Sequence, residues 1–485
     1  MFRTLIAREL RAIFASPRFV AVFAVTAVLV LLSLATGYVQ VRAFEREQTA
    51  LAGLTEQEMA EQTRWFSLRP RALRQADALA IVATGIHHDV GRYTVIRPDA
   101  PVALRSSVFE DDPILAVFRD LDLVDILQLV ITLYALLLTY DAVSGERESG
   151  VLRLVAAQPL PRWRYLAAKV IGNLVGLGLP LAVILLCGWL GLLALGVPLS
   201  GAAGARFALL LAGGGLLFAF FVTFGVMVSS LTRRPTTSFL AALTAWIALV
   251  LVIPRLGLLV AGELSPVPSA AEVDSQRAGF ERETTAASER AMEARWAARR
   301  REVQAQPEAT RRQYEDDRTW GWLEEDDQFR RDALAAVDAR AAKLDEQVRN
   351  LRRRQERLAL GFAAWTPSAA FRAAALHLAG THVELLPENR AAMDAYREDV
   401  RRYLLEKDPS AGAILVRADD RGGEIRRGDE GTRPLDLADL PRFAPPAIDL
   451  GRAAGAALPH FAVLLASWLG AFGVASLAFA RYDAR

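Results

Sequence analysis

Residues 123–150 read LVDILQLVITLYALLLTYDAVSGERESG, an apolar run that stops at an acid and passes directly into a charged motif between glycines. A membrane span does not tolerate the charges of 146–148 in hydrocarbon. A solvated loop does not need the Val-Leu-x-Leu-Val that follows at 151–155. The junction is therefore read as the point where a helix leaves a bilayer.

The composition agrees. Of 485 residues, 53% are hydrophobic, yet 23% are charged, and the mean hydropathy is +0.21. That mixture indicates membrane segments alternating with charged, water-facing parts rather than a soluble domain. A net charge of +2 gives no argument for nucleic acid, and the single Cys187 excludes disulfides and a thiolate metal cluster. Six segments reach the roughly 20 apolar residues that a hydrocarbon core requires: 19–36, 123–140, 170–195, 207–231, 236–253 and 456–480. Asp122 and Asp125 fall at the interface end of the second.

Short-loop basic residues orient the spans. Arg3, Arg8, Arg11 and Arg18 precede the first. Arg147, Arg153, Arg162, Arg164 and Lys169 lie in 141–169, Arg233 and Arg234 in the turn after span four, and Arg481 and Arg485 at the C-terminus. The turn 196–205 has no charge. Six spans with both termini inside put every basic cluster in the cytoplasm. The first apolar run is too long for a signal peptide and lacks a good cleavage site. Before it, residues 1–18 carry Phe2, Leu5, Ile6, Leu10 and Ile13 on one helical face, the pattern of a cytoplasmic helix lying on the membrane, with an ordinary charged flank of the anchor as the alternative.

Two segments are then extracytoplasmic, 41–118 and 262–452. In the second, Leu334, Val337, Ala341, Leu344, Val348, Leu351, Gln355 and Leu358 form an a/d seam. Phe280, Thr284, Ala287, Ala291, Ala294 and Ala298 repeat the spacing with smaller residues, and Pro307 and Trp320-Gly321-Trp322 lie between. An antiparallel, coiled-coil-like helical hairpin is the economical reading, with a parallel coiled-coil dimer second. The fold class expected is an all-α polytopic membrane protein. Residues 408–446, rich in Gly, Pro, Asp and Arg, read as irregular.

No catalytic constellation emerges. No lysine stands in a phosphate-binding Gly-Lys-Ser/Thr loop, and neither His-Glu-x-x-His nor Gly-x-Ser-x-Gly occurs. His87 and His88 are adjacent. His377 and His382, five apart in HLAGTH, stand too far round a helix to share an ion. His460, near the outer end of the last span, is expected to be neutral and hydrogen-bonded. No metal or cofactor is expected in this chain, and the paired acids of the hairpin read as solvated faces.

The segment 141–169 is the longest internal loop. Ser144 is placed as an N-cap, with Glu146 and Glu148 in the first turn, where the helix dipole favours acids. Val151, Leu152, Leu154 and Val155 give an apolar side, and Gln158-Pro159 and Pro161 end the helix. Such an element lies on lipid or docks in a partner's groove.

Residues 112–173, DPILAVFRDLDLVDILQLVITLYALLLTYDAVSGERESGVLRLVAAQPLPRWRYLAAKVIGN, resemble the permease subunits of ABC-2 type transporters. More closely, they are similar to the branch that includes the permease associated with nitrous oxide reductase maturation. Asp141, Gly145, Glu146, Arg147, Glu148, Gly150, Leu152 and Pro159 match the pattern position by position. The resemblance implies a multi-pass protein of the bacterial cytoplasmic (inner) membrane without catalysis of its own. A separate cytoplasmic P-loop ATPase would bind ATP and Mg, and a second permease subunit, self or related, would complete the path. Asp141, Ser144, Gly145, Glu146, Arg147, Glu148, Gly150, Leu152, Leu154 and Pro159 would form the ATPase-coupling segment, its charges and Leu side chains facing the ATPase. Compact family members lack the 262–452 insert, so no substrate carries over from them. Two rivals stand beside this reading: a membrane-anchored scaffold or sensor whose hairpin binds an extracytoplasmic partner, and an intramembrane enzyme.

Overall fold

The structure, a computed structural model, describes residues 2–85, 93–97, 122–152, 161–199, 201–363, 365–382, 384–407 and 434–481. They divide into two units, Met1–Val252 with Ala364–Arg485, and Ile253–Ala363.

The first unit begins with α1 (Phe2–Phe14) and α2 (Pro17–Ala60). Pro17 sits in the first turn of α2, where its missing N–H costs nothing. The sequence reading ends the first span at 36, but α2 continues to Ala60 because 38–60 is mostly good helix former with no proline. Its 44 residues are about 66 Å long, roughly twice a hydrocarbon core. Where α2 passes the 3₁₀ turn Ala78–Ile81, a Cβ on Gly37 would stand 2.3 Å from the Ile81 carbonyl oxygen. Only glycine permits that approach.

The second predicted span is shorter than expected. Its helix, α3 (Leu123–Leu137), is π-helical over Ile126–Ile131 and turns away after Leu137. At about 22 Å it falls short of a full core. Asp122 caps it: one carboxylate oxygen accepts from the Asp125 N–H at 2.8 Å and the other from the Thr84 N–H at 2.9 Å. Burial, then the neighbouring Asp125 charge, pushes the Asp122 carboxyl up to about 6, against the pull of those hydrogen bonds and Arg372.

After α4 (Ser144–Glu148) come α5 (Arg162–Ala194) and α6 (Gly201–Leu231). The apolar run Pro235–Leu264 is made of α7 (Pro235–Trp246), a π-helical stretch Ile247–Val252, and α8 (Ile253–Leu264). α13 (Leu450–Ala480) closes the unit. Among the described residues five helices are long and apolar enough to span a membrane: α2, α5, α6, α7 with α8, and α13. α6 is the centre, with Leu210, Leu217, Phe221 and Val222 buried. α13 packs along α6, where the Trp468 indole donates to the Thr223 hydroxyl at 2.9 Å. Buried hydroxyl–indole bonds of this kind hold apolar helices in register without a hydrophobic drive between them. Prolines stand inside α5 (Pro180) and α13 (Pro459).

One buried helix is missing from the sequence reading. α11 (Pro367–Ala379) packs among α6, the π-helical stretch Ile247–Val252 and α13, with Phe371 fully buried. Its signals are Thr366 as N-cap, Pro367 at N1 and Gly380 as a left-handed C-cap at φ 69°. They were hidden inside a segment read as wholly extracytoplasmic. The neighbouring α12 (Leu385–Lys407) buries Met393, Tyr396 and Val400 against a two-stranded antiparallel ribbon, β1 (Arg71–Leu73) with β2 (Tyr93–Val95). That ribbon is a small departure from an all-α fold.

The second unit holds α8, α9 (Ala270–Gln304) and α10 (Arg311–Ala363). α9 and α10 fold back on each other, and α8 also packs on α10. Ser269 and Glu272 form a capping box at the start of α9. Trp320-Gly321-Trp322 lies inside α10, not in the connection. From Val337 to Leu358 the α10 seam follows the predicted positions, with Val348 the most buried of them. The α9 seam keeps only some of them: Phe280, Thr284 and Ala291 are half-buried, but Ala287, Ala294 and Ala298 are exposed, and Ser288, Met292, Arg295 and Arg299 face inward instead. The reason is polar. Arg299 pairs with Asp326 at 2.7 Å, the Trp296 indole donates to the same carboxylate at 2.9 Å, and Arg295 and Arg299 lie over Phe329 and Trp322. Burial would raise the Asp326 carboxyl, but Arg299, Trp296 and Arg295 hold it below its usual range.

Candidate functional site

The chain leaves α3 through a tight turn pinned to the end of α6. A Cβ on Gly225 would meet the Thr139 hydroxyl at 2.0 Å, so the turn touches the α6 backbone. The Ser229 hydroxyl accepts from the Val143 and Ser144 N–H groups at 3.0 and 2.9 Å, and the Ser238 hydroxyl donates to the Tyr140 carbonyl. The two bonds to Ser229 satisfy orphan donors at the start of α4, the function expected of Ser144 as a cap. Ser144 is instead the first residue of the helix and fully buried beside Ser229.

Glu146 projects from α4 into a four-way junction. Its Oε1 lies 2.9 Å from Arg8 Nη2 of α1 and 2.8 Å from Lys169 Nζ of α5. The Tyr165 hydroxyl donates to Oε2. Lys169, only 4% exposed, also holds Glu9 of α1 at 2.8 Å. Two acids flanking one lysine is the arrangement that makes a buried ammonium tolerable. Burial alone would raise the Glu146 carboxyl, but the Lys169 ammonium, the Tyr165 hydroxyl and Arg8 hold it below its usual value.

α1 reaches this junction because α5 has glycines where α1 crosses it. A Cβ on Gly172 would meet Glu9 Cβ at 2.8 Å, and one on Gly176 would meet Ile13 Cδ1 at 2.7 Å. The apolar face of α1 thus rests on protein: Ile6, Leu10 and Ile13 are half-buried, with Glu9 among them.

The other motif residues divide by role. Arg147 donates to the Thr232 carbonyl at 2.7 Å and reaches the Ser230 carbonyl at 3.5 Å, compensating the C-terminal dipole of α6. Asp141 is half-buried, and its carbonyl accepts from the Gly145 N–H at 2.8 Å. Gly150 turns the chain at φ 76°, a left-handed conformation that favours glycine. Leu152 is buried with Val143, Tyr165, Leu166 and Phe479 rather than presented outward. Of the charged triplet only Glu148 is exposed, with Ser149 beside it. Leu154 and Pro159 lie outside the described residues.

The basic clusters converge on this end of the unit. Arg8, Arg147 and Lys169 meet as described, and Arg162 donates to the Ala480 carbonyl at 2.5 Å while Tyr165 stacks on Phe479 of α13. Sequence reasoning located the motif but missed Glu9, Tyr165 and Ser229. The only signal for the first two was acidic or aromatic character on otherwise apolar helix faces.

At the other end of the unit the histidine reading needs correction. α11 stops at Gly380, so helical spacing does not apply beyond it, and the His377 and His382 rings lie 4.8 Å apart. His460 of α13 stacks on His377 at 6.0 Å. Burial and then the neighbouring His382 lower the His377 pKa, with His460 adding to the effect against Glu384. His87 and His88 lie outside the described residues.

The model of a protein family described as ABC-2 family transporter protein matches residues 3–286, from α1 into α9, more than half of the chain. No curated protein matches it.

Proposed function

The chain belongs to the ABC-2 family of transporter proteins, and from that premise we propose that it is the permease half of a transporter driven by a separate cytoplasmic ATPase. Family and apolar helices together make it a multi-pass membrane subunit, and such subunits are generally non-catalytic. α4 is the element the ATPase would push. What supports this reading is the junction at Glu146. One carboxylate ties α4 to α1 and α5, while Arg147 ties it to the end of α6. A displacement applied at the exposed edge, Glu148 and Ser149, would therefore move three elements as one body.

The charges thus work differently from the sequence expectation. Glu146 and Arg147 hold the permease together, and Glu148 is left for the partner. The gathering of Arg8, Arg147, Arg162 and Lys169 at one end supports placing that end in the cytoplasm. α3 would then be a short sixth crossing, with the far end of α2, the β-ribbon and the second unit outside. The likeness of 112–173 to the nitrous oxide reductase maturation branch supports a place near it, without assigning a substrate. ATP and Mg would be held by the ATPase, and a second permease subunit, self or related, would complete the path.

The test is purification of the tagged chain from its native membrane. A P-loop ATPase should co-purify, and Glu148→Arg should weaken its retention several-fold without altering the permease's thermal stability. Absence of any ATPase, or retention indifferent to Glu148→Arg, rejects coupling through α4 and favours the scaffold reading.

A further inference from the structure

We propose that His377, His382 and Glu384 form a binding site for a divalent transition-metal ion of the Zn2+ class, at the end of the first unit opposite the Glu146 junction. One ligand atom from each residue lies within 4.8 Å of the others. The local fold creates the grouping. Gly380 closes α11 in the left-handed conformation, with the Gly380 N–H donating to the His377 carbonyl and the Thr381 N–H to the Leu376 carbonyl at 3.0 Å. That reversal carries His382 back over His377. Ile448 Cδ1 stands 2.0 Å from where a Cβ on Gly380 would be, so the turn is also held by packing.

Two imidazoles and one carboxylate are a donor set that suits zinc, with a fourth position left for water. Tetrahedral bonds of about 2.1 Å place donors about 3.4 Å apart, so binding draws the three donors together, and Glu384, the exposed one, is the freest to move. An independent sign comes from His382. Its Nδ1 is buried and has no hydrogen-bond partner among the described residues. Its Nε2 has only a distant Glu388 oxygen at 3.9 Å. A buried ring nitrogen left bare costs free energy, and a metal or a proton-bearing partner removes that cost. His460 is assigned the neighbouring role: stacked on His377, it holds the ring in place and links the site to α13.

The inference is independent of the transport reading and is tested on the full chain, purified without a polyhistidine tag, treated with EDTA and dialysed. Titration with Zn2+ against a chromophoric chelator should show one tight site per chain, and Co2+ should give the absorption of a four- or five-coordinate ion. Glu384→Gln, at an exposed position, should lower Zn2+ affinity at least about tenfold with unchanged secondary structure. His377→Ala with His382→Ala should abolish the site. At a Zn2+ concentration near the parent chain's dissociation constant, Zn2+ should raise the melting temperature of the parent chain clearly more than that of Glu384→Gln. Lack of a stoichiometric site in the parent chain overturns the proposal, and so does unchanged affinity in Glu384→Gln. Should the double-histidine variant fail to fold, Glu384→Gln and the Co2+ spectrum still decide.

Discussion

Glu146 receives Arg8, Tyr165 and Lys169 on one carboxylate that is 12% exposed. Its value can be read from pH. Because its folded pKa is depressed, its contribution to stability is fully present above the unfolded value, near 4.5, and is lost as pH falls through the lower folded value. Glu146→Gln keeps the shape and removes the charge, while Lys169 retains Glu9. We expect a loss of about 1–2 kcal/mol at neutral pH, seen as a lower apparent melting temperature in detergent. The difference from the parent chain should shrink below pH 4.5. A constant difference across that range would mean that charge is not what Glu146 contributes. The motif's position was legible in the sequence from the break between apolar and charged residues. The direction of its charges was not, because the partners are 138 and 23 residues away in the chain. Ser144 shows the same limit: its type suits a cap, but Ser229 meets the need from another helix.

Among the elements, long spans were easy to read because a bilayer imposes a minimum apolar length. What failed was what length does not govern. α3 was overestimated because its last residues, still apolar, turn to meet α6. The α9 seam slipped because Arg and aromatic side chains, not the alanine stripe, make its contacts. α11 was hidden because an amphipathic helix of 13 residues carries no span signal. Element packing also yields a prediction at the α1–α5 crossing. Gly172→Leu would drive a side chain into Glu9. It should lift α1 off α5 and speed hydrogen exchange of residues 2–14 at least about tenfold, the equivalent of 1.4 kcal/mol, with the spans still folded. Unchanged protection would show that α1 does not depend on this contact.

For the whole molecule, the orientation proposed above can be measured with the chain's own composition. Cys187 is the single cysteine, so Cys187→Ser gives a background for site-specific labelling. In that background Glu148→Cys should react with a membrane-impermeant maleimide only in inside-out vesicles, and Glu56→Cys, near the far end of α2, only in intact cells. Reaction of both from one side would leave α2 without a crossing and dismiss the arrangement.

Pro180 gives the junction a mechanical meaning. It lies four residues beyond Gly176, the last α5 position where α1 presses in, and it deprives that glycine's carbonyl of its helical N–H. The rod is therefore held against α1 on one side of its softest joint and, at Gly188, against Leu34 of α2 on the other. Bending stiffness is lowest at the proline, so the two halves of α5 can change their angle while Glu146, Lys169 and α1 keep their bonds. Strain from one end arrives at the other as an angle instead of a broken contact.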